Sequence, residues 1–449
     1  MSSPPAGLDD QLASILPRLQ RGVRDSVPRP AKGRVRRLLG VTVHASAPHV
    51  RLGELCHLVD PTTDCSVMAE VIGLMDDLTV LTPIGELAGL SSVTEVVPTG
   101  AELRIPVGKG LLGRVINALG DRLDGEPWGT DEIDGLYPVM MPPVAPFARQ
   151  LIEAPIQLGI RAVDGLLTCA RGQRIGIFGE PGVGKSTLLA DIVRGTDADV
   201  VVLALIGERG REVREFVERQ LGAEGRKRAV VVAATSDRPA MERVKAAHVA
   251  TTIAESFRDR GAHVLLLMDS ITRFARAQRE IGLAAGEPAT RRGFPPSLFA
   301  ALPRLLERAG PVANGSITGI YTILIEGDMS LDPVAEEVQA ILDGHVILSS
   351  ELAQRNHFPA IDVLHSRSRL MDTVVPAEQR AAAARIRELM ARYAEVELLV
   401  RVGEYQRGSD PLTDEAIGKI GRINGFLRQA SATHSTLVQT RQQMREIAA

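Results

Sequence analysis

The hydrophobic pattern is most regular between about 99 and 375, where short, wholly apolar runs alternate with stretches of helical periodicity. Strands that are apolar at every position belong to sheets buried on both faces, and alternation with helices favours parallel pairing. The pattern therefore predicts an α/β domain in which helices cover both faces of a parallel sheet. The predicted strands are Arg174–Phe178, Val200–Ile206, Ala229–Ala234, Val264–Met268 and Ile320–Ile325.

The segments on either side of this domain follow different patterns. Residues 31–98 contain short β-type runs separated by Gly, Pro and Asp turns, which predicts a small β-barrel or sandwich. Residues 376–449 are rich in Ala, Arg and Glu and lack strand signals, which predicts a helical domain. The β-type runs are Val41–Ala45, Val50–Leu52 and Val67–Ile72.

Residues 1–30 are Pro-rich at both ends and carry one apolar stripe between them. The spacing of three and four residues predicts a helix, although Pro17 indicates a kink or a late start. Two interpretations stay open, a disordered tail and a helix that docks onto a partner. The stripe consists of Leu8, Leu12, Ile15, Leu19 and Val23.

The composition is that of a soluble globular protein of several domains, with 449 residues, 45% hydrophobic and 24% charged. A net charge of −3 gives no reason to expect non-specific nucleic-acid binding. The three cysteines lack metal-type spacing, and the N-terminus lacks the basic and apolar regions of a secretory signal. We therefore expect a reducing, cytoplasmic compartment.

The strongest chemical signal is a glycine-rich loop that follows a predicted strand and precedes a predicted helix. It reads Gly-Glu-Pro-Gly-Val-Gly-Lys-Ser and satisfies the phosphate-loop (Walker A) pattern, in which backbone amides surround phosphate oxygens. Its lysine supplies a charge for the β- and γ-phosphates of ATP, and its serine supplies a hydroxyl for Mg²⁺. The predicted nucleotide-contacting residues are Gly179, Glu180, Pro181, Gly182, Val183, Gly184, Lys185, Ser186 and Thr187.

Two acidic residues complete the predicted chemistry. Asp269 ends an apolar strand, which is the arrangement of a Walker B carboxylate that holds the metal. Glu208 follows the first strand after the phosphate-loop helix, so it should project over the edge of the sheet where ligands bind. Glu208 is therefore the candidate to polarise the attacking water. Small GTPases and kinases do not place their base here, whereas RecA-like ATPases do.

Arg369 lies far along the chain from the phosphate loop, in the segment His-Ser-Arg-Ser-Arg. In ring ATPases an arginine of this kind reaches into the neighbouring subunit's site and neutralises charge in the transition state. Arginine fingers accelerate hydrolysis by about 10³–10⁵. The alternative interpretation is a surface salt bridge.

Longer segments carry a family resemblance. The segments Pro359–Ser368, 268–297 (MDSITRFARAQREIGLAAGEPATRRGFPPS) and 403–412 (GEYQRGSDPL) resemble those of type III secretion ATPases, relatives of the catalytic subunit of rotary ATP synthases. The similarity runs over about 31–430. It implies an N-terminal β-barrel, a RecA-like α/β P-loop core and a C-terminal helical domain. We assign 1–30 to a tail, 31–98 to the barrel, 99–375 to the ATPase domain and 376–449 to the helical domain.

The resemblance also implies residue roles. Phe358 falls where relatives stack an aromatic ring, usually tyrosine, on adenine. The implied catalytic residues are Lys185, Glu208, Arg209 (a phosphate-side arginine) and Arg369. The implied metal-site residues are Ser186, Asp269 and Glu212, with Arg273 as a supporting polar residue.

The implied activity is Mg-dependent ATP hydrolysis that energises protein secretion by releasing and unfolding chaperone-bound effectors. The implied partners are other copies in a homohexamer, a central stalk protein, chaperone–effector complexes, and a stator or regulator that binds the N-terminal tail. Residues 409–428 correspond to the stalk and cargo contact. The implied location is the cytoplasmic base of the secretion apparatus at the inner membrane, in peripheral association with the export gate.

Several alternatives stay open for the larger assembly that this ATPase serves. Thr235–Arg243 and Leu166–Cys169 resemble the injectisome branch more than the flagellar branch. A rotary synthase subunit is disfavoured by the 403–412 segment and the N-terminal stripe. A Rho-type helicase is disfavoured because residues 31–98 contain no Phe, Tyr or Trp on which RNA bases would stack. One departure from relatives is Glu326–Pro333, where Met329 replaces the second acid after Asp328.

Overall fold

The computed structural model describes residue 15 and residues 32–449, apart from positions 64, 76, 126–127, 130–131 and 328. Except for Ile15, the apolar stripe predicted in the N-terminal tail lies outside the described residues, and so does Asp328. Within the described part of the chain, no helix is both long enough and apolar enough to cross a lipid bilayer.

The N-terminal strands form a closed barrel in the order β1-β2-β5-β4-β3-β6. Alternate side chains point inward, so that Val43, Leu58 and Val96 are fully buried. The prediction of a strand at Val50–Leu52 is wrong, because the chain turns there through Gly53, which has a φ of 82°. The strands are β1 Gly33–Leu39, β2 Thr42–Ser46, β3 Glu54–Asp60, β4 Cys65–Met75, β5 Leu78–Pro83 and β6 Glu95–Glu102.

The central domain is built on a nine-stranded sheet in the order β17-β16-β10-β15-β13-β11-β12-β8, with β14 beside β15. All neighbouring strands from β16 across to β8 pair in parallel. In contrast, β17 is antiparallel to β16, and β14 is antiparallel to β15. Every strand predicted in this domain is confirmed. The predicted ends of Val200–Ile206 and Ala229–Ala234 are those of the structure, whereas the ends of the other three strands are shifted. The strands of this sheet are β8 Val115–Ile116, β10 Arg174–Gly179, β11 Val200–Ile206, β12 Ala229–Ala234, β13 His263–Asp269, β14 Gly310–Pro311, β15 Ser316–Leu324, β16 Gly344–Leu348 and β17 Ile361–Ser368. A separate two-stranded sheet pairs β7 Arg104–Val107 with β9 Gly135–Pro138.

Helices cover both faces of this sheet, as the apolar strands require. Val202 and Ala204 of β11 belong to one hydrophobic core, whereas Leu203 and Leu205 belong to the core on the opposite face. A π-helical turn spans Phe216–Leu221. The helices are α1 Arg161–Leu166, α2 Lys185–Gly195, α3 Gly210–Glu215, α4 Gly222–Lys227, α5 Ala240–Arg258, α6 Ile271–Ala284, α7 Pro296–Leu306, α8 Pro333–Ile341, α9 Ser350–Gln354 and α10 Met371–Val374.

The C-terminal region is helical, as predicted, and packs against α1 on one face of the sheet. Asp410 caps the second long helix by accepting a hydrogen bond from the Thr413 amide, and Pro411 occupies its first turn. Gln379 donates hydrogen bonds to the Asp164 carbonyl and the Thr168 hydroxyl, which ties this region to the core. The helices are α11 Ala377–Val402, α12 Pro411–Leu427 and α13 Leu437–Ala448. The domain limits assigned from the sequence stay predictions.

Candidate nucleotide site

The glycine-rich loop connects the end of β10 to the start of α2. Gly182 and Gly184 each have a φ of 88°, in the left-handed region that residues with a Cβ rarely adopt. Gly184 also lies against Phe358, because a Cβ built on it would come within 3.3 Å of the Phe358 Cε1 atom. The loop therefore has a shape that depends on glycine at these positions.

The first turn of α2 is suited to bind an anion. Within the described residues, no side chain caps this helix, whose N-cap is Gly184. Uncapped backbone amides and the helix dipole together attract negative charge. Lys185 begins the helix, and the side chains of Ser186 and Thr187 next to it are exposed.

The other loop residues hold the loop in place or face solvent. Val183 is buried in the core beside the sheet, with 4% of its surface exposed. Glu180 and Pro181 are exposed, and the Glu180 carboxylate accepts a hydrogen bond from the Ser350 hydroxyl. Gly179 packs closely, because a Cβ there would lie 2.9 Å from the Cβ of Leu348.

A buried ion pair joins the phosphate loop to a neighbouring strand. The Nζ atom of Lys185 lies 2.7 Å from Oδ1 of Asp269, and the two side chains are 11% and 6% exposed. The same Oδ1 accepts a hydrogen bond of 2.7 Å from the Thr322 hydroxyl. Thr322 has no sequence signal that singles it out, because its position beside Asp269 depends on the pairing of β13 with β15.

Glu208 lies at the same edge of the sheet, just after β11. The chain turns at Gly207, where a Cβ would come 3.0 Å from the Cβ of Arg273. Burial raises the pKa of the Glu208 carboxyl to about 7, and the negative charge of Asp269 adds to this effect. The positive charges of Lys185 and Arg273 oppose the rise in pKa. A carboxyl group with a pKa near neutrality is suited to take a proton from water.

A cleft of about 90 Å³ brings four of the predicted site residues together. Its lining includes Ser186, Glu208, Glu212 and Asp269. Arg209 lies outside this set, with its side chain 77% exposed and its Nη1 atom 3.0 Å from Oε1 of Glu212. The cleft therefore collects the acidic groups and the serine hydroxyl on one side of the phosphate loop.

This donor set suits Mg²⁺ bound together with a nucleotide. Mg²⁺ in such sites takes one or two carboxylates, phosphate oxygens and several waters. Ser186 and Asp269 offer a hydroxyl and a carboxylate of this kind at the cleft. Within the described ranges there is no group of three or more His, Cys, Asp or Glu residues that would hold a metal alone. The ion would therefore depend on the phosphates for its remaining ligands.

A second cavity, of about 590 Å³, opens on the other side of the loop. Its volume is in the range of small-molecule sites. The ring of Phe358, 40% exposed, forms part of the wall beside Gly184 and Thr187. Gln429 and Ser431 line it from the C-terminal region, and the backbone N–H of Gln429 donates to the Phe358 carbonyl at 2.9 Å. The sequence motifs do not reveal this C-terminal contribution, because it requires the chain to return to the core after α12.

Arg369 is not part of the same site. It follows β17, its side chain is exposed, and its backbone amide donates to the Asp343 carbonyl at 2.9 Å. Asp343 in turn binds Arg174, at the start of β10, whereas the phosphate loop lies at the end of β10. At about 3.3 Å per residue, β10 separates these edges by roughly 16 Å, which an arginine side chain cannot bridge.

A parallel sheet with a phosphate loop and an acidic strand end at one edge defines a P-loop nucleoside triphosphatase. Residues 159–368 match the ATP synthase alpha/beta family, nucleotide-binding domain, and residues 375–446 match the T3SS EscN ATPase C-terminal domain. The chain is 58% identical over 412 residues to the type 3 secretion system ATPase of Sinorhizobium fredii (strain NBRC 101917 / NGR234), covering 92% of this chain and 91% of the relative. The chain belongs to the type 3 secretion system ATPase family, and is thus an ATP-binding ATPase of type III secretion.

Flagellar proteins are also related. The flagellum-specific ATP synthase of Treponema pallidum (strain Nichols) is 47% identical over 419 residues, which is 93% of each chain.

Among solved structures, the assembled ATPase EscN from the enteropathogenic E. coli type III secretion system matches with a TM-score of 0.88 and 47% identity, over 93% of this chain and 100% of that chain. EscN in complex with its central stalk EscO matches with a TM-score of 0.86 and 46% identity over the same shares. The predicted fold class and family resemblance are confirmed.

Proposed function

We propose that this ATPase hydrolyses Mg-ATP at the cleft beside the phosphate loop and uses the energy to release and unfold chaperone-bound effectors for secretion. The observation that carries the proposal is the convergence of Lys185, Ser186, Glu208 and Asp269 on one side of the loop. A phosphate-binding loop beside a carboxylate with a pKa near 7 has the groups that hydrolysis needs.

Each group has a distinct role in the proposal. The amides of the loop and the Lys185 ammonium bind the β- and γ-phosphates, and Phe358 stacks on adenine in the larger cavity. Ser186 and Asp269 would hold Mg²⁺, which would neutralise charge on the phosphate oxygens, and Glu212 would support its water shell. Ionised Glu208 accepts a proton from the attacking water. Arg209 and Arg273 balance the negative charge around these groups.

The proposed active site is shared between subunits. Arg369 lies at the opposite edge of the sheet from its own phosphate loop, so it can complete only the site of another copy. A head-to-tail contact of this kind closes into a ring when the rotation permits. The similarity to the assembled ATPase EscN supports a ring, and we propose a homohexamer.

Family membership supports proposals for the remaining partners. EscN binds the central stalk EscO, and we propose that a stalk protein contacts residues 409–428 of this chain, on and beside α12. We further propose that chaperone–effector complexes dock in the same region and that a stator or regulator binds the N-terminal tail. The proposed location is the cytoplasmic side of the inner membrane, where the ring would associate peripherally with the export gate.

The pH dependence of hydrolysis tests the role of Glu208. Because the Glu208 carboxyl has a pKa of about 7 and must be ionised to act, activity should rise with pH through this value. We expect kcat/KM for ATP to fall about tenfold for each pH unit below 7, and to level off above pH 8. The measurement is steady-state phosphate release between pH 5.5 and 9 at saturating magnesium.

The matched control is Glu208→Gln, which keeps the size of the side chain and removes the titrating group. This variant should lose about 10²–10⁴ in kcat and should lack the inflection near pH 7. ATP itself changes its protonation state in the same pH range, and it does so in the assays of both proteins. The difference between the two pH profiles therefore reports the ionisation of Glu208. Identical profiles, or near-wild-type turnover of the variant, would contradict the assignment.

Capture from the native host separates the injectisome from the flagellar alternative. We expect the tagged full-length protein to bring down injectisome components, including a stalk protein and secretion chaperones. Recovery of flagellar export components alone would assign the chain to the flagellar branch. Recovery of rotary stator and membrane-ring subunits would instead support a synthase.

A further inference from the structure

The segment between β9 and α1 carries two strongly exposed apolar side chains. Phe147 is as exposed as in an extended peptide, at 104%, and Leu151 is 83% exposed. Burying side chains of this type against a partner removes apolar surface from water and so stabilises the contact. The segment also contains Pro142, Pro143 and Pro146, which restrict its backbone and reduce the entropy lost when it is ordered against a partner.

Arg149, between these two residues, fixes the segment to the body of the protein. Its Nη1 atom donates to the Ala309 carbonyl at 2.9 Å, and its Nη2 atom lies 3.1 Å from Oε2 of Glu307. Gly310 leaves room for the guanidinium, because a Cβ there would lie 2.6 Å from Nη1. The backbone of Gln150 adds a hydrogen bond to the Pro311 carbonyl at 3.3 Å. The two apolar side chains are therefore held outward by a well-anchored backbone.

The same anchor is linked to the segment that carries Arg369. Glu307 uses its other oxygen, Oε1, to bind Nη1 of Arg174 at 2.5 Å. Arg174 binds the Asp343 carboxylate at 3.1 Å, and the Asp343 carbonyl accepts the Arg369 amide. Alternating charges thus run from Arg149 through Glu307 and Arg174 to Asp343, and the backbone hydrogen bond from Arg369 to Asp343 extends this network along the amino-terminal edge of the parallel strands.

We propose that Phe147 and Leu151 form an apolar contact with a second copy of this chain, at the same interface through which Arg369 reaches the neighbour's nucleotide. The inference rests on the proposed shared active site. The partner is a second copy of this chain for two reasons. The exposed pair and Arg369 lie along the same edge of the sheet, and Arg369 at this edge can complete only a nucleotide site on another molecule. The apolar contact stabilises the association of the two subunits, whereas Arg369 stabilises charge in the transition state of ATP hydrolysis.

The test is the concentration dependence of assembly and of ATPase activity in Phe147→Ser/Leu151→Ser. Loss of the two apolar contacts should raise the midpoint concentration for ring assembly at least tenfold, on the order expected for two buried apolar side chains. At protein concentrations high enough to restore the ring, kcat should return to the wild-type value. Sedimentation velocity and phosphate release over the same concentration series give both quantities.

Val438→Ser is the matched control, because Val438 is also apolar and 70% exposed but lies on α13. It should assemble and hydrolyse ATP as the wild type does. The double variant and Val438→Ser should both keep the wild-type unfolding temperature and bind a fluorescent ATP analogue as monomers. These results would exclude misfolding as the cause of a change in assembly. A photo-crosslinking amino acid at position 147 provides an independent measurement, and should join two copies of the chain in assembled samples.

The outcomes separate this inference from the proposed function. If the double variant assembles at the wild-type concentration, or if position 147 crosslinks only to a different protein, the inference is wrong. If the double variant shifts assembly while Arg369→Ala keeps full turnover, the apolar contact stands and the shared active site fails.

Discussion

Replacing Arg369 with alanine is expected to lower kcat of the assembled protein by about 10³–10⁵, the range of an arginine that stabilises transition-state charge. ATP binding by the isolated protomer should be unchanged, because Arg369 and the phosphate loop lie at opposite edges of the sheet. The measurements are phosphate release at a concentration where sedimentation shows the ring, and nucleotide binding to monomers.

Two variants sharpen this result. Arg369→Lys keeps the charge but lacks the planar fork of the guanidinium, so most of the loss should remain. Arg367→Ala removes another exposed arginine, on β17 itself, and should retain activity close to wild type. Equal losses in Arg367→Ala and Arg369→Ala would indicate a general effect of positive charge at this edge and would contradict a specific role for Arg369.

Replacing Lys185 with alanine is expected to weaken ATP binding and to lower kcat by about 10²–10³. This is the loss seen when an enzyme loses one group that stabilises charge developing in the transition state. The change also removes the partner of Asp269 in an ion pair of 2.7 Å. Loss of one member of a buried pair destabilises a protein. We therefore expect a lower unfolding temperature as well, and activity should be measured well below it.

Lys227→Ala is the control for this experiment. Lys227 is an exposed lysine that pairs with Glu224 on the surface, so its removal should change neither stability nor turnover. Hydrolysis by Lys185→Ala at close to the wild-type rate would exclude the phosphate loop as the catalytic site, even if nucleotide binding were weaker.

The sequence predicts the core of this protein well because the relevant signals are local. A strand buried on both faces is apolar at every position, so Val200–Ile206 is visible without any tertiary information. The phosphate loop is visible because its glycines and Lys185 are adjacent in the chain. Val50–Leu52 is an instructive failure, since its composition suits a strand but Gly53 turns the chain and leaves Leu52 65% exposed.

Features that depend on long-range packing are not visible in the same way. Thr322 reaches Asp269 only because β15 lies between β10 and β13 in the sheet. Gln429 lines the larger cavity only because the chain returns to the core after α12. The distance between Arg369 and its own phosphate loop likewise follows from the antiparallel direction of β17, which a motif alone does not specify.

The central claim is that Lys185 of one subunit and Arg369 of its neighbour act on the same ATP molecule. The most direct test is to mix equal amounts of Lys185→Ala and Arg369→Ala protein, allow the rings to exchange subunits, and measure ATP turnover. Random mixing in a head-to-tail ring should leave about one quarter of the sites with both residues intact, so activity should rise far above either parent. A mixture that assembles but never exceeds its more active parent would contradict the account.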